Sequence, residues 1–227
     1  MEVKGVEISF LGHSGFMLHS KNGDVNGKRI AIDPYNISDN VGKADIILIT
    51  HSHYDHCSIK DIGKISREGT VVVAPPDCQS KIMNVEGVNL QVIELGDKIE
   101  LGNVKIETVA AYNKDKEFHP KSEGWVGYVV KLGEIIVYHA GDSDFIPEMH
   151  KLSGYGKHGN EFVALLPVSG TYVMDAEEAA EAASIISPDL AIPMHYGAGV
   201  AGTLEDAQRF VELCKEKGLK AEVLEKI

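Results

Sequence analysis

The sequence predicts a layered α/β protein. Three observations carry that expectation. Short β-type runs fill the first half, and helices alternate with strands in the last third. Several strands, Asp45–Thr50 among them, are continuous apolar runs that need cover on both faces. With 227 residues, 44% hydrophobic and 25% charged, there is material for one sizeable core. No repeat and no Pro/Ser-rich linker divides the chain, so one domain over residues 1–227 is expected.

The elements follow in order. Val6–Leu11 alternates until Gly12, and Phe16–Leu18 resumes after Gly15. Arg29–Ile32 ends at Asp33-Pro34, a turn signal. The buried strand Asp45–Thr50 leads to a short helix over Ser58–Ser66. Thr70–Ala74 is a second buried strand, stopped by Pro75-Pro76, and Asp77–Met83 is a short helix. Strands follow at Leu90–Glu94, Val104–Ala111, Val126–Leu132 and Glu134–Tyr138, with Gly133 marking a tight hairpin between the last two. Glu161–Val168 is an apolar strand. Asp175–Ile186 is an alanine-rich helix whose Asp175 and Glu178 have capping-box spacing. Asp189–Met194 is a strand, Thr203–Lys217 a helix between a threonine cap and Gly218, and Lys220–Leu224 a last strand.

Charge narrows the function classes. The net charge is −12, with arginine only at positions 29, 67 and 209. That argues against nucleic acid and anionic membranes as partners. Three cysteines cannot all pair, and the N-terminus lacks a basic stretch followed by an apolar one, so a reducing, cytoplasmic setting is expected. No apolar run approaches the ~18 residues of a membrane span.

The segment that carries chemistry is Thr50-His51-Ser52-His53-Tyr54-Asp55-His56-Cys57, directly after a buried strand. Imidazole and carboxylate are the common ligands of zinc and similar ions. On an extended segment His51 and His53 would point the same way and grip one ion. Asp55 and His56, where the chain turns towards a helix, would face a second. A surface histidine run is the bland alternative, and clustering at a strand end speaks against it.

His51-x-His53-x-Asp55-His56 resembles the signature of the metallo-β-lactamase superfamily. Gly141-Asp142-Ser143 after one strand and Pro193-Met194-His195 after another fit its later motifs, and Leu11-Gly12-His13-Ser14-Gly15-Phe16 is similar to its uncharacterised metal-dependent hydrolases. The resemblance implies a four-layer αβ/βα sandwich with two metals at one edge. By position, His51 and His53 would hold the first metal, Asp55, His56 and His195 the second, and Asp142 would bridge. The remaining ligand falls to His119 or Asn113, and His119 is expected because an amide is a poor zinc ligand beside imidazole. Two divalent ions, zinc first and iron, manganese or nickel on the same donors, would favour a bridging hydroxide. The implied activity is hydrolysis of an ester, lactone or phosphodiester of small-molecule size, with Asp55 and His195 at the chemistry. The alternatives are an iron-dependent oxidoreductase of thiol-oxygenase type and a non-catalytic metal- or ligand-binding protein.

Other residues draw blander expectations. His13 and His139 are expected outside the ligand set, as residues orienting a ligand or packed near it. His19, His150 and His158 are expected at the surface. Tyr172, Tyr196 and Trp125 read as packing residues, and Cys57 as a small buried one. Gly197-Ala198-Gly199-Val200-Ala201-Gly202 matches a dinucleotide-binding fingerprint. Only 25 residues follow it, too few for the rest of such a fold, so these glycines are expected to turn the chain away from His195.

Overall fold

In the computed structural model two β-sheets lie face to face; it describes every residue except 22, 26 and 158. His158 therefore lies outside the described residues. The first sheet runs in chain order: β1 (Glu2–Val3), β2 (Val6–Gly12), β3 (Gly15–Ser20), β4 (Arg29–Ile32), β5 (Ile46–Leu48), β6 (Thr70–Ala74) and β7 (Val88–Val92). The second contains β8 (Lys98–Leu101), β9 (Val104–Ala110), β10 (Val126–Leu132), β11 (Ile135–His139), β12 (Glu161–Pro167) and β13 (Leu190–Met194). Both sheets begin with antiparallel strands and finish with parallel ones, from β4 to β7 and from β11 to β13.

Alternation along the strands explains the layers. Ile46, Leu48 and Val73 join the main core together with the strands of the second sheet. Their neighbours Ile47, Val72 and Ala74 face the other way, into a second core with Ile62, Ile65 and Ile82. Those last three belong to α1 (Ile59–Ile65) and α2 (Gln79–Ile82). On the far side α3 (Ala176–Ile186) and α4 (Leu204–Glu216) pack on each other and on β12 and β13. The result is the αβ/βα sandwich. Capping follows the sequence closely: Asp175 with Glu178, and Thr203 with Asp206, form capping boxes, and Ser58 caps α1.

Three expectations change. The strand expected at Leu90–Glu94 starts two residues earlier, at Val88, pairing in parallel with β6. The edge strand β8 has half-buried and exposed residues only, so its apolar signal was too weak to read. Lys220–Leu224 is no strand. It touches the sheets by the single bridge Ala191↔Ala221, and Phe10↔Lys226 follows on a different sheet, so the tail crosses between strands without extending either. Among the described residues no helix is long and apolar enough to cross a membrane.

Candidate metal centre

Parallel strands point their carboxyl ends to one edge, and in open α/β sheets that edge is where ligands collect. Here Asp33 follows β4, the His51–His56 segment follows β5, and Asn113 follows β9. Asp142 follows β11, Ser169 and Tyr172 follow β12, and His195 follows β13. The β2–β3 turn brings His13 to the same place.

Donor atoms converge there in three overlapping groups: His51, His53 and His119; His13, Asp55, His56 and His195; and His51, His56 and Asp142. Within each group the atoms lie within 4.8 Å of one another. Asp142 stands between the first two groups. Its Oδ2 is 3.2 Å from His119 Nε2 and 3.1 Å from His195 Nε2, and its Oδ1 is 3.3 Å from His56 Nε2. All seven residues expected as ligands thus meet in one place. The route differs from the expected one. β5 ends at Leu48, and His51–Asp55 runs through bends and turns closed by His56 and Cys57 N–H groups on the His53 carbonyl. His51 Nε2 and His53 Nδ1 meet at 3.1 Å through that turn, not through a strand's pleat.

Four of the imidazoles, those of His51, His56, His119 and His195, are oriented from behind. His56 Nδ1 donates to Asp33 at 2.8 Å. Asp33 also accepts from Thr50 N–H at 2.8 Å and from Thr50 Oγ at 2.6 Å. With its proton spent there, the Thr50 hydroxyl accepts from His51 Nδ1 at 2.9 Å. His119 Nδ1 faces two acceptors, Asn113 Oδ1 at 3.0 Å and the Tyr172 carbonyl at 3.2 Å, so it carries the proton and Nε2 is bare. Asn113 is thus the buttress of His119. Asp144 in turn accepts from the Asn113 amide at 3.1 Å. His195 Nδ1 pairs with Ser169 Oγ at 2.8 Å. Such partners fix tautomers and aim the free nitrogens at a metal.

Charge and satisfaction both fit a cation. Burial pushes the Asp142 carboxyl up, but His195 and His56 beside it outweigh that and hold it well below the carboxylate range. Asp55 is likewise pushed up by burial and pulled down further by His13 and His56, to about 2. Burial, then His56, drives His51 well below the usual imidazole value. His56 is lowered by burial yet ends well above it, because Asp142 and Asp33 flank it. Buried His56 Nε2, His119 Nε2 and Asp142 Oδ1 have no hydrogen-bond partner. Unpaired buried polar atoms are costly; three of them within the same cluster of donors are what divalent ions would satisfy. Nitrogen and carboxylate donors suit zinc and its first-row neighbours.

Other expected residues fall into place around this centre. His139 is buried with both nitrogens used by backbone: Nε2 donates to the Ser14 carbonyl at 2.8 Å and Nδ1 accepts from Gly141 N–H at 3.1 Å. Trp125 packs 4.8 Å from the rings of His51 and His53, and its indole N–H donates to Asp77. Tyr196 is buried against Phe10, Cys57 is buried, His150 is exposed and His19 half-buried. Tyr172 departs from the packing expectation, because it lines the pocket beside His119 and stacks edge-on with Phe118. In the glycine-rich loop, Gly202 sits where a Cβ would meet the His195 carbonyl at 2.6 Å and Ser169 Cβ at 2.7 Å. Its role is close approach behind a metal-site histidine. Asp33 was legible only as a turn residue, although a carboxylate at the end of a buried strand was a signal.

The fold and the donor set define a metallo-β-lactamase-type hydrolase scaffold. The model of the beta-lactamase superfamily domain matches residues 7–195, and the chain belongs to that superfamily. Within it the chain is similar to UPF0173 metal-dependent hydrolases. It is 32% identical over 201 residues to that of Thermoplasma acidophilum, covering 86% of this chain and 84% of the relative. It is 30% identical over 225 residues to that of Nanoarchaeum equitans, covering 97% of each. A crystal structure of a candidate metal-dependent hydrolase from Parabacteroides distasonis superposes with a TM-score of 0.80 at 30% identity, covering 97% of this chain and 94% of that one.

Proposed function

We propose that this chain is a two-ion hydrolase, zinc-dependent in the first instance, that cleaves an ester, lactone or phosphodiester of small-molecule size. One observation carries the reading: two donor groups flank Asp142 beside one pocket, and three inward atoms, His56 Nε2, His119 Nε2 and Asp142 Oδ1, have no hydrogen-bond partner in the protein. His51, His53 and His119 would hold one ion, Asp55, His56 and His195 the other, with Asp142 between. Ions held there supply a Lewis acid and an ionised water at neutral pH. The chain's own part is to keep both carboxylates ionised, to keep the histidine tautomers fixed from behind, and to present the substrate. Its pocket of about 190 Å3 is lined by His53, Tyr54, Asp55, Phe118, His119, Asp142, Tyr172, His195 and Val200. Among the described residues that line it there is no lysine or arginine. Tyr54 and Phe118 are 64% and 49% exposed at its mouth. An apolar rim without cations favours an uncharged carboxylic ester or lactone carrying an apolar group over a phosphodiester. The acidic surface disfavours nucleic acid. Three buried unpaired thiols support a cytoplasmic setting.

The test is a substrate panel run on metal-free and zinc-loaded protein. Metal-dependent turnover of aryl esters or lactones is expected, with bis-aryl phosphodiesters slower. Turnover that survives chelation would refute the metal chemistry. Full metal loading without turnover of any member would favour a binding protein, and oxygen uptake with thiols by iron-loaded protein would favour the oxygenase alternative.

A further inference from the structure

His13 is drawn into the second donor group, yet it is built differently from the other two histidines of that group, His56 and His195. His51, His56, His119 and His195 each have Nδ1 held from behind by Thr50, Asp33, Asn113 and Ser169, leaving Nε2 forward. His13 reverses that pattern. Its Nε2 lies 3.0 Å from Asp55 Oδ2, and its buried Nδ1 has no hydrogen-bond partner. A ligand imidazole is almost always anchored through its rear nitrogen; His13 is anchored only at the front. With no acceptor facing Nδ1, the Asp55 carboxylate is the one hydrogen-bond acceptor the ring faces among the described residues, which places the ring proton on Nε2.

The backbone of the same residue does a second job. The His195 N–H donates to the His13 carbonyl at 2.7 Å, and a bridge pairs His13 with Tyr196. His13 and His195 both have left-handed backbones, with φ of 57° and 62°. Non-glycine residues hold that conformation only where the surroundings enforce it. His13 is 0% exposed and does not line the pocket, so it reaches the chemistry only through other residues.

From this geometry we infer that His13 is a positioning residue for one of the two ions: its Nε2–H holds the Asp55 carboxylate, and its carbonyl holds the His195 backbone. The inference rests on the two-ion reading. It makes His13 selective, because His13 forms no hydrogen bond to His51, His53 or His119 among the described residues, so the other ion is left alone.

Two measurements test it. Nitrogen-15 NMR of histidine-labelled, zinc-loaded protein reads which ring nitrogen of His13 carries the proton. The proton is expected on Nε2; a bare, metal-bound Nε2 with the proton on Nδ1 would make His13 a ligand and overturn the inference. Zinc titration of variants then reads each ion separately. Asparagine tolerates a left-handed backbone but is too short to reach Asp55, so His13→Asn is expected to weaken one ion by about 10- to 100-fold and leave the other unchanged. His13→Gln, which can still donate from a similar reach, is expected to recover most of that loss. Equal weakening of both ions, no weakening, or a His13→Gln variant as weak as His13→Asn would overturn the role of His13. A wild-type protein that takes up no second ion would instead overturn the two-ion reading, while the tautomer measured in the metal-free protein still reports the bond to Asp55.

Discussion

Asp33 is the most consequential residue outside the expected ligand set, and Asp33→Asn tests that. The carboxylate is 0% exposed and receives three hydrogen bonds, from Thr50 N–H, Thr50 Oγ and His56 Nδ1. It therefore sets His56 directly and His51 through the Thr50 hydroxyl. Asparagine keeps the size and tolerates the backbone φ of 43°. It offers one acceptor oxygen where two served, so an N–H group must face at least one donor. If the amide nitrogen faces His56, the imidazole is driven to the tautomer with its proton on Nε2, the nitrogen meant for metal. Loss of one such outer partner costs about 10- to 100-fold in metal affinity, or about 1.4–2.8 kcal/mol. Because Asp33 serves histidines of both donor groups, the upper end is expected for both ions. The assay is a metal titration against a competing chelator, followed by the fluorescence of Trp125, the sole tryptophan, which packs on His51 and His53. Affinities within threefold of wild type for both ions would refute the reasoning.

Further predictions bear on the same centre. His119→Ala should lose one equivalent of bound metal, whereas Asn113→Ala should keep two equivalents with one of them held about tenfold more weakly; metal analysis after dialysis separates these, and full stoichiometry in His119→Ala would restore Asn113 as the ligand. Gly202→Ala should disturb His195, since the added methyl would sit 2.6 Å from its carbonyl and the backbone φ of 74° disfavours any side chain; a lowered melting temperature and a weakened ion are expected, and a variant equal to wild type in both would contradict it. Burial lowers the proton affinity of His56, but Asp142 and Asp33 flanking it outweigh that and raise it well above the usual imidazole value. Metal uptake near pH 7 should therefore displace a proton from His56 in addition to the one given up by metal-bound water, and the affinity of the ion at His56 should fall about tenfold per unit as the pH drops. Calorimetry in buffers of different ionisation enthalpy counts the protons released: about two are expected, and a count of one or fewer would contradict the assignment.

Local signals were legible where chemistry and chain geometry coincide. The continuous apolar runs gave β5 and β6, the Asp175 and Thr203 caps gave α3 and α4, and seven ligand candidates could be named from the His51–His56 cluster and the resemblance of this and the later motifs to the metallo-β-lactamase superfamily. What stayed hidden depends on contacts between distant segments. Nothing local tells that Asn113 buttresses His119, that Thr50 relays Asp33 to His51, or that the β2–β3 turn carries His13 onto Asp55. β8 escaped because an exposed edge strand needs little apolar residue content, and the C-terminal tail misled because Ala221, Val223 and Leu224 pack on the main core while the backbone makes only two single bridges, through Ala221 and Lys226, one on each sheet.

Anomalous diffraction from crystals grown with zinc tests the central claim most directly. Two peaks are expected, one within about 2.0–2.2 Å of nitrogen atoms from His51, His53 and His119, the other at similar distances from Asp55, His56 and His195, with an Asp142 oxygen within reach of both. A single peak, or peaks away from these residues, would contradict the account.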